Sequence, residues 1–136
     1  MSRPQETRIL VVDDNPVNIK LAAALLSRAG YAVDQTGDAE TALALIQASP
    51  PDLVLLDLQL PKMDGLELAR LLKADERTRH VILVAFTAHA MKGDRERAAA
   101  AGCSGYLTKP IDTRVFARQV AAFLAPDTSG NNPSPP

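Results

Sequence analysis

The sequence predicts an α/β fold: a doubly wound sheet of five parallel strands with helices on both faces. Two observations carry this. Short apolar runs that are continuous, not alternating, recur along the chain, as strands buried on both faces require. Each is followed by a segment with helical spacing, and a strand–helix–strand succession pairs its strands in parallel through right-handed crossovers. The 136 residues, 46% of them hydrophobic, suit one domain with a real core and are too few for two.

The first strand is read in Ile9-Leu10-Val11-Val12, and Val17, Leu21, Ala24, Leu25 and Arg28 then recur at helical spacing until Gly30. A weaker strand, Tyr31-Ala32-Val33, leads to a helix marked by Ala42, Leu43, Leu45 and Ile46. The third strand is Leu53-Val54-Leu55-Leu56, and its helix, introduced by Asp64-Gly65, carries Leu68, Leu71 and Leu72. Val81 to Phe86 is the fourth strand, followed by a helix over 92–101 that is first charged and then alanine-rich. Gly105-Tyr106-Leu107 is the fifth, and Phe116, Val120, Phe123 and Leu124 mark the last helix, with Asp112 as its N-cap. Residues 126–136 hold four of the ten prolines and nothing that anchors a core, so they read as a disordered tail or linker. Residues 1–7 are similarly polar and are expected to be disordered, which leaves 8–125 as the folded unit.

Composition removes several function classes. Fifteen basic against sixteen acidic residues give a formal net charge of -1, which argues against a basic field that holds nucleic acid or anionic membrane. One cysteine, Cys103, excludes a disulfide framework and a cysteine-based zinc site, and two histidines leave little for a histidine-rich metal centre. No apolar run approaches a membrane span and no hydrophobic leader opens the chain, so the expected location is the cytoplasm. No glycine-rich phosphate loop follows the first strand, and no nucleophile elbow with a histidine partner is present.

Parallel strands share one C-terminal edge, where ligands of such sheets sit. The first strand runs into Asp13-Asp14 and the third into Asp57. If those strands are neighbours, three carboxylates converge, and their repulsion is relieved by a divalent cation with hard-oxygen preference, Mg²⁺ above all. The fourth strand ends in Thr87, a hydroxyl, and the fifth leads to Lys109, a fixed positive charge. A carboxylate nucleophile, a metal, a hydroxyl donor and a lysine make a site for a transferring phosphoryl group. Each residue alone has a plainer reading, since an aspartate at a strand end is often a cap or a turn residue. Lys109 has none, because an unpaired lysine between a strand and a proline has no packing use.

The stretches Ile9-Leu-Val-Val-Asp-Asp-Asn15, Asp57-Leu-Gln-Leu-Pro-Lys-Met-Asp-Gly65, Phe86-Thr-Ala88 and Gly105-Tyr-Leu-Thr-Lys-Pro110 resemble the receiver domain of bacterial two-component response regulators, from Arg8 to Ala125. The resemblance implies the flavodoxin-like strand order 2-1-3-4-5. It implies Asp57 as phosphoacceptor, taking its group from a histidine kinase or a histidine phosphotransfer protein. Asp14 would be the direct Mg²⁺ ligand and Asp13 would act largely through water. Gln59 would give the metal its backbone carbonyl, leaving its side chain to modulate hydrolysis. Lys109 would tie a phosphoryl oxygen to Asp57, and a cis peptide before Pro110 would aim it inward. Thr87 and Tyr106 would form a switch that remodels a protein-binding surface for a downstream target, and that surface could also pair two copies into a homodimer. Ala88 would leave access to Asp57. The segments 14–18 and 87–91 look most like single-domain regulators and receivers attached to hybrid histidine kinases.

Plainer readings stand beside these. Tyr106 as a half-buried core aromatic predicts the same residue, His89 reads as a solvated loop histidine, and Cys103 as a buried filler beside Gly102. The run Lys92 to Arg97 is a solvated helix face or a docking surface. Two rival functions differ in class. A Mg²⁺-dependent aspartyl-phosphate phosphohydrolase of the haloacid dehalogenase type needs a second aspartate two residues after its nucleophile, where this chain has Gln59, and a cap insertion that is missing. A phosphorylation-independent pseudo-receiver is disfavoured by the complete set of signature residues. The protein is thus expected to be a signalling module, catalysing only its own phosphorylation and dephosphorylation.

Overall fold

The computed structural model describes residues 7–58, 60, 65–87 and 93–124. Residues 1–6 and the tail, Gln59, Ala88 and His89 lie outside the described residues. The chain alternates strand and helix throughout: β1 (Arg8–Val12), α1 (Pro16–Arg28), β2 (Ala32–Thr36), α2 (Ala39–Ala48), β3 (Leu53–Asp57), α3 (Gly65–Ala74), β4 (Ile82–Thr87), α4 (Asp94–Ala100), β5 (Gly105–Thr108) and α5 (Phe116–Leu124). The five strands form one parallel sheet in the order β2-β1-β3-β4-β5. β1 and β3 are therefore neighbours, with Val12 opposite Leu56.

Alternation along the strands divides the core in two. On one face Ile9, Val11, Leu53, Leu55, Val84 and Phe86 pack with Ala22 and Leu26 of α1 and Phe116 and Val120 of α5. On the other, Leu10, Val12, Val54, Leu56 and Leu83 pack with Ala42 and Ile46 of α2 and Leu68 and Leu72 of α3. Every β3 side chain is buried, as a strand covered on both faces requires. Each fully buried leucine contributes about 1.5–3 kcal/mol.

Two elements differ in detail from expectation. α1 turns Val17, 71% exposed, to solvent and only half-buries Leu21 and Leu25 of the expected stripe; its fully buried residues are Ala22, Ala23 and Leu26. Both sets satisfy a 3.6-residue period, so periodicity by itself does not choose between them. β2 runs on past Val33 through Asp34, Gln35 and Thr36. It is an edge strand paired only with β1, so an apolar run is not needed to hold it. Thr7 precedes β1, and its carbonyl accepts the Ala32 N–H.

Three of the helix starts, those of α1, α2 and α5, follow from their capping residues. The Asn15 side chain accepts the N–H groups of Val17 and Asn18, and Pro16 opens α1, where a missing N–H costs nothing. Asp38 accepts from the Thr41 N–H at the start of α2. Asp112 accepts the Arg114 N–H, and its carbonyl accepts from Val115 and Phe116 as the chain turns into α5.

Candidate functional site

The C-terminal edge of the sheet holds the titratable cluster. β1 ends at Val12, and the next N–H, that of Asp13, still donates to the Thr36 carbonyl of β2 at 3.1 Å. Asp13 is thus held in line with the strand, and its side chain is fully buried. The Asn15 N–H donates to Asp13 Oδ1 at 2.9 Å, so the loop into α1 turns around this carboxylate. β3 delivers Asp57, 4% exposed, opposite Phe86 of β4. Asp14 is exposed at the rim. One carboxylate oxygen from each of Asp13, Asp14 and Asp57 lies within 4.8 Å of the others.

Lys109 reaches this cluster from the end of β5. Its backbone N–H donates to the Thr87 carbonyl at 2.9 Å, which ties it to the end of β4, and the Lys109–Pro110 peptide is cis. Its ammonium lies 2.6 Å from Asp13 Oδ2 and 3.3 Å from Asp57 Oδ2, with 9% of the side chain exposed. It also lies 5.1 Å from the centroid of the Phe86 ring. One ammonium against three carboxylates leaves the pocket with an excess of negative charge. That donor set, all oxygen, with a water-accessible rim at Asp14, fits a hard divalent cation such as Mg²⁺.

Gly65, the first residue of α3, permits the close approach of that helix to the end of β3. A Cβ there would sit 2.8 Å from Leu58 Cα and against the Asp57 carbonyl oxygen. The sequence marks this glycine as a helix start; its larger role is to let the end of β3 and α3 touch.

Thr87 is 1% exposed and belongs to the opposite alternation from Asp57, on the sheet face of Ala85. Tyr106 pairs with Ala85 in register and packs in the same small cluster, with Ala98 of α4. Its ring is half-buried, while its hydroxyl is buried with no hydrogen-bond partner among the described residues. The Arg95 guanidinium carbon lies 4.7 Å from the centre of that ring. The charged run that opens α4 is therefore not uniformly solvated: Arg95 covers Tyr106, and Arg97 pairs with Asp94 on the helix itself.

Two contacts leave no mark in the sequence. Phe86 is legible as a strand residue and a motif member, and its place beside the Lys109 ammonium depends on strand order and register. Arg95 on Tyr106 depends on how α4 docks. No local pattern carries either.

The model of the response regulator receiver domain matches residues 9–121 of this chain. The chain belongs to that family. This receiver is 41% identical over 116 residues to the polar-differentiation response regulator DivK of Brucella ovis, covering 85% of this chain and 94% of that one. The receiver domain of a sensor histidine kinase from Pseudomonas aeruginosa PAO1, solved with a magnesium ion coordinated in its active site cleft, superposes with a TM-score of 0.79 at 36% identity, over 87% of this chain and 97% of that one. The chemotaxis response regulator CheY4 of Vibrio cholerae superposes at 0.82, over 87% and 98%, and at 24% identity it shows the shared fold. The protein is thus a receiver of two-component signalling, with the fold class its sequence pattern predicts and the strand order that the resemblance implies. Among the described residues, no helix is long and apolar enough to cross a membrane.

Proposed function

We propose that this receiver takes a phosphoryl group from the phosphohistidine of a kinase or phosphotransfer protein onto Asp57, and then switches a surface read by a downstream protein in the cytoplasm. The observation that carries the proposal is the buried cluster in which the Lys109 ammonium stands between the carboxylates of Asp13 and Asp57. An Asp57 oxygen attacks phosphorus while the bond from phosphorus to the histidine nitrogen breaks, and its electron pair leaves with the nitrogen. Asp13, Asp14 and Asp57, with the backbone carbonyl of Gln59, would hold Mg²⁺. The metal, when bound, supplies positive charge against the phosphoryl oxygens.

The chain's own residues do the rest. Lys109 neutralises a phosphoryl oxygen and ties it to the acceptor. The Thr87 hydroxyl donates to another, and its movement leaves room for the Tyr106 ring beside α4 and β5. With no titratable side chain at Gln59 to activate water, hydrolysis of the acyl phosphate is slow and the modification persists as a signal. The remodelled surface around Tyr106 could also join two copies.

The test is incubation with Mg²⁺ and acetyl phosphate, followed by intact mass. One added phosphoryl group is expected on the wild type, and none on Asp57→Asn or in excess chelator. No adduct on the wild type would leave a pseudo-receiver. An adduct that survives Asp57→Asn would place the nucleophile elsewhere.

A further inference from the structure

We propose that Phe86 is a positioning residue for Lys109: its ring face holds the ammonium over the acceptor carboxylate, ready for the oxygen of an arriving phosphoryl group. The inference rests on the receiver chemistry above and adds a residue to it. Alternation places Asp57 and Phe86 side by side on the sheet face that also carries Leu55 and Val84. The Lys109 ammonium, delivered by the next strand, sits 5.1 Å from the Phe86 ring centroid, inside the range of a cation over an aromatic face. The ring is 1% exposed and is backed by Phe116, whose centroid is 6.0 Å away, so packing fixes which face it offers.

An aliphatic side chain at this position would strip water from the ammonium and return nothing. The aromatic ring returns its negative π face. The carboxylates of Asp13 and Asp57 are the other partners of the ammonium, and both belong to the cluster that fits a divalent cation. A metal ion there competes with Lys109 for their charge. Among the described partners of Lys109, the ring is the one such an ion does not claim, so it keeps the ammonium in place when the site is loaded.

The test replaces Phe86, site-specifically, by phenylalanines with one, two or three ring fluorines, which keep the shape and drain the π face. Phe86→Leu serves as the reference without a ring. In metal-free protein, the ring current of Phe86 should move the Lys109 ε-methylene protons upfield of the other lysines, and Phe86→Leu should return them. Affinity for beryllofluoride with Mg²⁺, the phosphoryl mimic, should fall stepwise with fluorine number, reaching about tenfold for three fluorines. In a Lys109→Ala background the same series should be flat. A flat series in the chain that retains Lys109, with beryllofluoride still bound, overturns the role of Phe86 and leaves the receiver chemistry standing. A wild type that binds no beryllofluoride while the Lys109 protons keep their upfield shift overturns the receiver chemistry and this proposal with it.

Discussion

Lys73 reaches from the end of α3 to the start of β4, where its ammonium donates to the carbonyls of Arg79 at 2.8 Å and Val81 at 2.6 Å. Its stem lies where a Cβ on Gly102 would be, and that glycine holds φ at +107°, so this corner is closed by shape as well as by hydrogen bonds. Burial lowers the Lys73 pKa, with the neighbouring thiol opposing it. Burial also pushes the Cys103 thiol from an ordinary 9.0 up to about 11, with Lys73 opposing. The sign of the consequence is definite: between those values the unfolded chain has released a proton that the folded chain keeps, so Cys103 costs stability as pH rises through that window. Cys103→Ala should flatten the fall in denaturation midpoint between pH 9 and 11. At pH 8, iodoacetamide should label Cys103 far more slowly in the folded protein than in urea, read by intact mass. Acceleration in the folded state would contradict the burial.

Among the elements, α1 and α3 bind the site to the scaffold. Asn15→Ala removes an acceptor for two orphan N–H groups and should lower stability by about 1 kcal/mol in a urea titration. Gly65→Ala forces a methyl group against the Asp57 carbonyl oxygen and the Leu58 backbone, where nothing flexible can yield. It should cost at least about 1–3 kcal/mol and weaken Mg²⁺ affinity, measured by calorimetry, because relief requires the end of β3 to shift at Asp57. The existence and order of the elements were legible in the sequence, because apolar runs and helical segments alternate along it, even where β2 and α4 carry a weaker pattern. The buried face of α1 was not, since two residue sets share one period. Nor was the C-terminal half of β2, because an edge strand is held by backbone pairing that leaves no mark on hydropathy.

The whole molecule gathers at one edge what the chain separates by more than ninety residues, Asp13 and Lys109. That gathering was legible because parallel strands end on a common side; the β1–β3 adjacency came from family likeness, since periodicity does not encode strand order. The contact between Lys109 and Phe86 was not legible, because it depends on register across β3, β4 and β5 together. Amide exchange should be slowest in β1, β3 and β4, whose neighbours lie on both sides, and faster in the outer strands β2 and β5. Lys109→Ala should still accept a phosphoryl group from acetyl phosphate yet fail to move the Tyr106 resonances, and an unaltered switch in that variant would refute its linking role. The sheet also keeps Asp57 and Phe86 on the side of α1 and α5, while Thr87 and Tyr106 belong to the side of α3 and α4. On the proposed reading the group lands on one side of the sheet and the surface read downstream lies on the other, with Thr87 reaching between them, so residues facing the sender and residues facing the audience can diverge on separate clocks only while Thr87 is kept.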